Sequence, residues 1–166
     1  MFTSSLIALV LGASSAQSGT LTFTKPAAWT DRAAASSMRV AEFVVPKASG
    51  DTEDGELIIY YFGGGGGSVD ANLERWTSQF QSAKEPVRTS ATVNGLTLTS
   101  LDVSGTYVAE TRPGSSEHYN KPGFRMRATV VETPKGPYFV KLTGPAKTID
   151  SAGAAFDQFL KSLAFK

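Results

Sequence analysis

Residues 57–62, with the sequence LIIYYF, constrain the fold of this chain more than any other segment. Successive side chains of a strand point to opposite faces of the sheet, so a strand that is apolar at every position is covered on both faces. The segment therefore predicts a strand in the middle of a sheet. The five glycines at positions 63–67 end this strand.

Further segments have the composition of strands. They span residues 21–24, 38–45, 92–98, 101–108, 124–132 and 138–142. Within residues 92–98, the dipeptide Asn94-Gly95 predicts a hairpin turn, because both residues tolerate positive φ. A β-bulge is expected near Ser104 and Gly105, where the next strand region contains a glycine.

Two segments have apolar residues at helical spacing, and each follows a group of strands. The first, with Ser68 as its predicted N-cap, has the stripe Val69, Leu73, Trp76, Phe80 and Ala83. The second, with Thr148 as its predicted N-cap, has the stripe Ile149, Ala152, Phe156, Phe159, Leu160 and Leu163. The predicted fold class is α+β: a mostly antiparallel sheet of about six to seven strands, in two groups each followed by a helix, covered by two main helices.

The first residues have the pattern of a secretory signal peptide. An apolar run at positions 6–11 is followed by small residues, with Ser14 and Ala16 where a cleavage site requires them. We therefore predict a signal peptide over residues 1–16, a single domain over residues 20–166, and a periplasmic or secreted location. The sequence has no cysteine, so stability is expected from the core without disulfides.

Charge and composition exclude several classes of function. Sixteen basic and fifteen acidic residues give a net charge of +1, which predicts no nucleic-acid partner. No apolar run approaches the ~20 residues of a membrane-spanning helix. With no cysteine and one histidine, a zinc or copper site would lack ligands, so we predict no metal and no cofactor.

Several peptides are similar to those of a group of uncharacterised exported bacterial proteins. These peptides are residues 23–29 (FTKPAAW), 38–41 (MRVA), 50–54 (GDTED), 60–63 (YYFG), 101–107 (LDVSGTY) and 139–145 (FVKLTGP). The order of strands and helices resembles the PsbP-like fold, and the resemblance covers residues 21–163. It implies a non-catalytic accessory or binding role by analogy. It carries no site residues, because the functional residues of better-known PsbP-like proteins have no match here.

The glycine run before the first helix is a candidate anion site. Backbone N–H groups delivered to a helix N-terminus can hold an anion, here at Gly66, Gly67 and Ser68. A nucleotide-binding P-loop would need a lysine directly before the serine, and Gly67 occupies that position. The alternative is a strand-to-helix connection without a ligand, since glycine mostly serves turns.

The acidic residues Asp51, Glu53, Asp54 and Glu56 could in principle hold calcium. Their spacing does not match the EF-hand pattern, because Gly55 stands where that pattern requires its third acidic residue. A solvated turn between two strands is the prediction.

A polar loop over residues 110–123 is the predicted contact surface, because loops carry function more often than scaffolds do. The predicted ligand- or partner-binding residues are Tyr107, Arg112, His118 and Tyr119. His118 is the single histidine, and Ser115 and Ser116 lie near it. No Gly-x-Ser-x-Gly elbow frames these serines, so no catalytic residue is assigned.

The predicted function is that of an exported, non-enzymatic accessory or binding domain. Its unknown protein or small-molecule partner would contact residues 110–123. The alternative is a hydrolase that acts on extracellular or envelope polymers. Glu42, Asp102 or Glu132 could supply its carboxylates, although their spacing selects no pair.

Overall fold

The computed structural model describes residues 19–166, and the predicted signal peptide lies outside them. The strands are β1 (Leu21–Thr22), β2 (Thr30–Arg32), β3 (Arg39–Val45), β4 (Gly55–Tyr61), β5 (Phe80–Gln81), β6 (Val87–Val93), β7 (Leu96–Tyr107), β8 (Lys121–Thr133), β9 (Gly136–Pro145) and β10 (Ala164–Phe165). The helices are α1 (Val69–Ser78), α2 (Ala146–Ser151) and α3 (Gly153–Lys161). No helix of the described range is long and apolar enough to cross a membrane.

The main sheet has eight strands, all paired antiparallel. Its order is β2-β3-β4-β9-β8-β7-β5, and β6 also pairs with β7. A separate two-stranded sheet joins β1 to β10. The α+β class is confirmed, and so is the central position of β4, which lies between β3 and β9. The sheet exceeds the predicted size because it includes two short strands, β2 and β5.

Apolar layers cover the two faces of the main sheet. On one face, Leu57 and Ile59 of β4 pack in a cluster with Phe156 of α3. On the other face, Trp76 of α1 packs with Phe139 of β9. This arrangement explains the LIIYYF segment: its alternate side chains point toward opposite layers, and the layer on the α1 side also contains the cleft described below.

Helix α1 begins as predicted and ends earlier than predicted. The Ser68 hydroxyl accepts a hydrogen bond from the Ala71 N–H at 3.2 Å, which confirms the N-cap. The helix stops at Ser78, and Phe80 reaches the core from β5, where it pairs with Tyr107. Periodicity alone cannot distinguish a helix that includes Phe80 from one that ends before it, because a buried aromatic residue just beyond the helix continues the same stripe.

The prediction that Thr148 caps the last helix is wrong. Helix α2 begins at Ala146, and Thr148 lies inside it, fully buried. The Thr148 hydroxyl donates to Asp51 Oδ2 at 2.6 Å and accepts from the Ala48 N–H at 3.0 Å. The predicted helix is also divided at Ala152, which ends α2 and precedes α3. Its apolar stripe is nevertheless buried at Ile149, Ala152, Phe156, Phe159 and Leu163.

The turns between strands follow local sequence closely. Asn94 and Gly95 have φ values of 47° and 80° and join β6 to β7, which confirms the hairpin. The register of β7 against β8 shifts between Gly105 and Tyr107, close to the predicted bulge. Strand β8 begins at Lys121, so the connection from β7 covers residues 108–120 and is shorter than the predicted loop over residues 110–123.

Candidate functional site

A cleft of about 820 Å³ opens on the α1 face of the main sheet. It exists because α1 packs against β5, β7 and β8 and leaves part of β4 and β9 uncovered on that face. The floor of the cleft is formed by the β4 and β9 side chains Glu56, Ile58, Tyr60, Lys141 and Thr143. The end of α1 and the connection 108–120 form its walls. Its volume lies in the range of roughly 300–1,000 Å³ that is usual for small-molecule sites.

The four side chains predicted to contact a ligand or partner all line this cleft. They are Tyr107, Arg112, His118 and Tyr119. Gly66 of the candidate anion site also lines it, whereas Gly67 and Ser68 do not. The geometry therefore brings the two predicted sites to the same cleft only through Gly66. Ligand binding by these residues stays a prediction.

The connection 108–120 is held in place by its own backbone. The Thr111 N–H donates to the Glu117 carbonyl and the Tyr119 N–H to the Ala109 carbonyl, each at 2.9 Å. The Val108 N–H donates to the carbonyl of Gln79, the C-cap of α1, at 2.8 Å. One wall of the cleft is therefore tied to the other.

Aromatic rings and one imidazole complete the wall formed by the connection. The Tyr107 ring stacks on the rings of Tyr119 and Phe124, with centroids 5.7 and 6.0 Å away. Burial raises the pKa of the Tyr107 phenol, which therefore stays protonated at neutral pH. His118 Nδ1 donates to the Val108 carbonyl at 2.9 Å, and its exposed ring leaves Nε2 available to a ligand.

At one edge of the floor, Glu56 and three charged side chains next to it neutralise one another. Arg32 binds Glu42 at 3.0 Å and Glu56 at 2.5 Å, and Arg39 binds Glu42 at 2.9 Å. Burial opposes the ionisation of Glu42, but hydrogen bonds from the Ala35 N–H and from both arginines outweigh it and lower its pKa. Two cations and two carboxylates thus form a closed network.

Lys141 is the central charge of the floor, and sequence reasoning missed it. Its Nζ donates to Gln79 Oε1 at 3.3 Å. Burial lowers the pKa of Lys141 to about 8. Repulsion from Arg75 and Arg39 acts in the same direction, and the attraction of Glu56 opposes it. The signal that could have found it was a single lysine inside the otherwise apolar segment 138–142.

Arg75 reaches the same cleft and is positioned through the glycine run. Its guanidinium donates to Asn72 Oδ1 at 2.5 Å. The buried Asn72 amide in turn donates to the carbonyls of Gly66 and Ser68, each at 2.8 Å. Gly66 has a φ of 114°, and a Cβ there would lie 2.6 Å from the Phe139 ring. The run therefore has a structural role in shaping the cleft, and anion binding at Gly66, Gly67 and Ser68 stays a prediction.

The acidic residues considered for calcium have separate partners. Asp51 accepts from Thr148, Glu53 binds Lys121, Asp54 accepts from the Lys47 N–H, and Glu56 binds Arg32. Within residues 19–166, no group of three histidine, cysteine, aspartate or glutamate side chains could hold a metal ion.

The carboxylates considered for a hydrolase lie on three different strands. Glu42 of β3 is bound by two arginines, and Asp102 of β7 is bound by Arg125 at 2.5 Å. Glu132 of β8 is exposed. None of the three lines the cleft.

Comparison with known proteins addresses the fold. No protein-family model and no curated protein matches the chain. A protein of unknown function from Pseudomonas aeruginosa, PA94, is similar with a TM-score of 0.55 and 18% identity, over 87% of this chain and 96% of that one. Cyanobacterial PsbP (CyanoP) from Synechocystis is similar with a TM-score of 0.51 and 13% identity, over 93% of this chain and 96% of that one. The chain has the PsbP-like fold. At such identities the likeness shows the fold alone, so the role of this PsbP-like domain has to be argued from its cleft.

Proposed function

We propose that this PsbP-like domain is an exported, non-enzymatic binding module that takes a small-molecule ligand in the cleft beside the connection 108–120. One observation supports it above the others. Side chains from the connection, from the end of α1 and from the middle of the sheet converge on one concave site of ligand size. A concave site of this kind suits a small molecule better than the flat surface of a partner protein. The proposed export rests on the pattern of residues 1–16.

The non-enzymatic part of the proposal rests on how the reactive side chains are used. The Ser115 hydroxyl accepts from the Glu117 N–H at 3.0 Å, and Glu110 Oε2 accepts from the Gly114 N–H at 2.7 Å. Glu56, the carboxylate of the floor, is bound by Arg32. Acid–base catalysis needs an ionisable group that is free to exchange a proton with the substrate, and nucleophilic catalysis needs a nucleophile beside a base. These three groups instead hold the local fold.

The experiment is a binding screen read out residue by residue. The isotope-labelled chain is titrated with a library of small aromatic acids, amines and neutral compounds, and amide chemical shifts are recorded. We expect compounds that bind to shift amides of the connection 108–120, of residues 75–79 and of β9 around Lys141. Compounds that shift only amides outside these segments would contradict the proposal.

A blocking variant and a matched control sharpen this test. Ser78 is exposed at the end of α1 and lines the cleft, so Ser78→Trp should fill the cleft and abolish binding. Thr92→Trp places the same ring at an exposed site on β6, outside the cleft, and should leave binding unchanged. The hydrolase alternative is tested with ester, peptide and glycoside substrates. Turnover that disappears when one serine or carboxylate is replaced would establish it in place of the binding module.

A further inference from the structure

Three cations of the cleft lining, Arg75, Arg112 and Lys141, have no acidic partner among the described residues, and two of them are held in place by neutral amides. Within residues 19–166, neither Lys141 nor Arg75 forms a salt bridge. Each donates to a neutral amide oxygen instead, Lys141 to Gln79 and Arg75 to Asn72. Of the two carboxylates in the cleft lining, Glu56 is already bound by Arg32, and Glu110 accepts from the Gly114 N–H. The positive charge of Lys141 and Arg75 is therefore uncompensated, in contrast to the neutral network beside it.

The fold holds these two charges near each other at a cost. Lys141 is fixed by β9, which pairs with both β4 and β8. Arg75 is fixed by Asn72, and Gln79 lies four residues further along the same face of the helix. Repulsion between Arg75 and Lys141 contributes to the lowered pKa of the lysine. Like charges that are held together in a cleft are typical of a site whose ligand carries the opposite charge.

Aromatic rings beside these charges indicate the rest of the ligand. The Tyr60 and Phe62 rings, both in the cleft lining, stack with centroids 6.0 Å apart and an angle of 11°. Phe62 is 38% exposed, so part of its ring is open to a ligand. On the opposite wall the Tyr107 and Tyr119 rings are stacked as well. The cleft thus combines the uncompensated charges of Lys141 and Arg75 with flat apolar surfaces.

We propose that Lys141 and Arg75 bind the oxyanion group of a small organic acid whose flat apolar body lies against the aromatic walls. The proposal rests on the proposed function and names its ligand class. A carboxylate and a phosphate share the required chemistry, because either accepts hydrogen bonds from an ammonium and a guanidinium group. The Arg32, Arg39, Glu42 and Glu56 network takes no part in binding the anion, since its charges are already paired.

The test uses three probes of one shape. These are 2-naphthoate, 2-naphthyl phosphate and the neutral 2-naphthamide, each titrated into the isotope-labelled full chain. We expect at least one of the two anions to bind in the cleft at least tenfold more tightly than 2-naphthamide. Tighter binding of 2-naphthoate would indicate a carboxylate ligand, and tighter binding of 2-naphthyl phosphate would indicate a phosphate ligand. Equal affinity for the anions and the amide would overturn this proposal and leave the binding module intact.

Variants separate the anion site from the cleft as a whole. Lys141→Met and Arg75→Gln should each weaken binding of the preferred anion about tenfold and leave 2-naphthamide binding unchanged. Lys161→Met, at an exposed site on α3 outside this cleft, is the matched control and should weaken neither. Amide spectra of the variants confirm that each is folded. If a folded Lys141→Met variant loses binding of both the preferred anion and 2-naphthamide, Lys141 shapes the cleft and does not recognise the charge.

Discussion

Arg39 and Glu42 form a salt bridge of 2.9 Å although they lie three residues apart on strand β3. In a regular strand, residues at an odd separation point to opposite faces. The register of β3 against β4 shifts between Arg39 and Ala41, and this β-bulge brings both side chains to one face. The bulge thereby completes the charged network beside the cleft.

Glu42→Gln should destabilise the domain by roughly 1–3 kcal/mol, because it replaces a buried charged acceptor of three hydrogen bonds by a neutral amide. Glu42 is 3% exposed and accepts from the Ala35 N–H at 2.7 Å as well as from Arg39 and Arg32. Its lowered pKa means that its contribution to stability is present above the unfolded pKa and is lost as pH falls through the folded value. Urea unfolding at pH 7 and pH 3 measures both effects. Glu132→Gln, at an exposed site, is the control, and a similar loss there would argue against this role of Glu42.

Lys141→Met should stabilise the folded domain at pH 7. The pKa of Lys141 is lowered from 10.5 to about 8, so between these values the unfolded chain holds a proton that the folded chain has released. Stability of the native protein therefore rises with pH across this window, and below it the buried charge is a cost. We expect the methionine variant to be more stable by roughly 1–3 kcal/mol at pH 7, with the difference shrinking toward pH 10. Urea unfolding of both proteins at the two pH values measures it, and a difference that does not change with pH would contradict the assignment.

Gly66→Ala should cost roughly 2–4 kcal/mol of stability, because a Cβ there combines an unfavourable backbone conformation with a clash. The clash is with the Phe139 ring, 2.6 Å from the added atom. Gly63 is the control within the same run: its φ is 65°, and a Cβ there meets nothing within 4 Å. Gly63→Ala should cost about 1 kcal/mol. Thermal or urea unfolding measures both variants. If they lose the same free energy of unfolding, the Phe139 ring moves aside without destabilising the fold.

Thr148→Val should lower stability by roughly 1–3 kcal/mol, since the isosteric side chain leaves the Ala48 N–H and the Asp51 carboxylate without their shared partner. Amide exchange at Ala48 should become faster, which reports the loss directly. Ser151→Ala removes an exposed hydroxyl that donates to Lys147 of the same helix and should change stability by less than about 0.5 kcal/mol. Unchanged exchange at Ala48 in the Thr148→Val variant would contradict the proposed anchoring.

Part of the cleft could be predicted from sequence and part could not. Tyr107, Arg112, His118 and Tyr119 stand out because they lie in or beside a polar segment between two strands. Lys141 is a single charge in a strand that otherwise reads as core. Which face it points to depends on the register with β4, and whether that face is covered depends on where α1 packs.

Local patterns determined several elements of this protein: the central strand from an apolar run, the hairpin from Asn94-Gly95, and the buried stripes of the helices from their periodicity. These features depend on residues close together in the chain, so the sequence alone reveals them. The tertiary structure decided where α1 ends, and that the Thr148 hydroxyl anchors the connection between β3 and β4. It also decided that Arg75 and Lys141, 66 positions apart in the sequence, face one cleft. Such contacts join distant parts of the chain through strand register and layer packing, which no local pattern encodes.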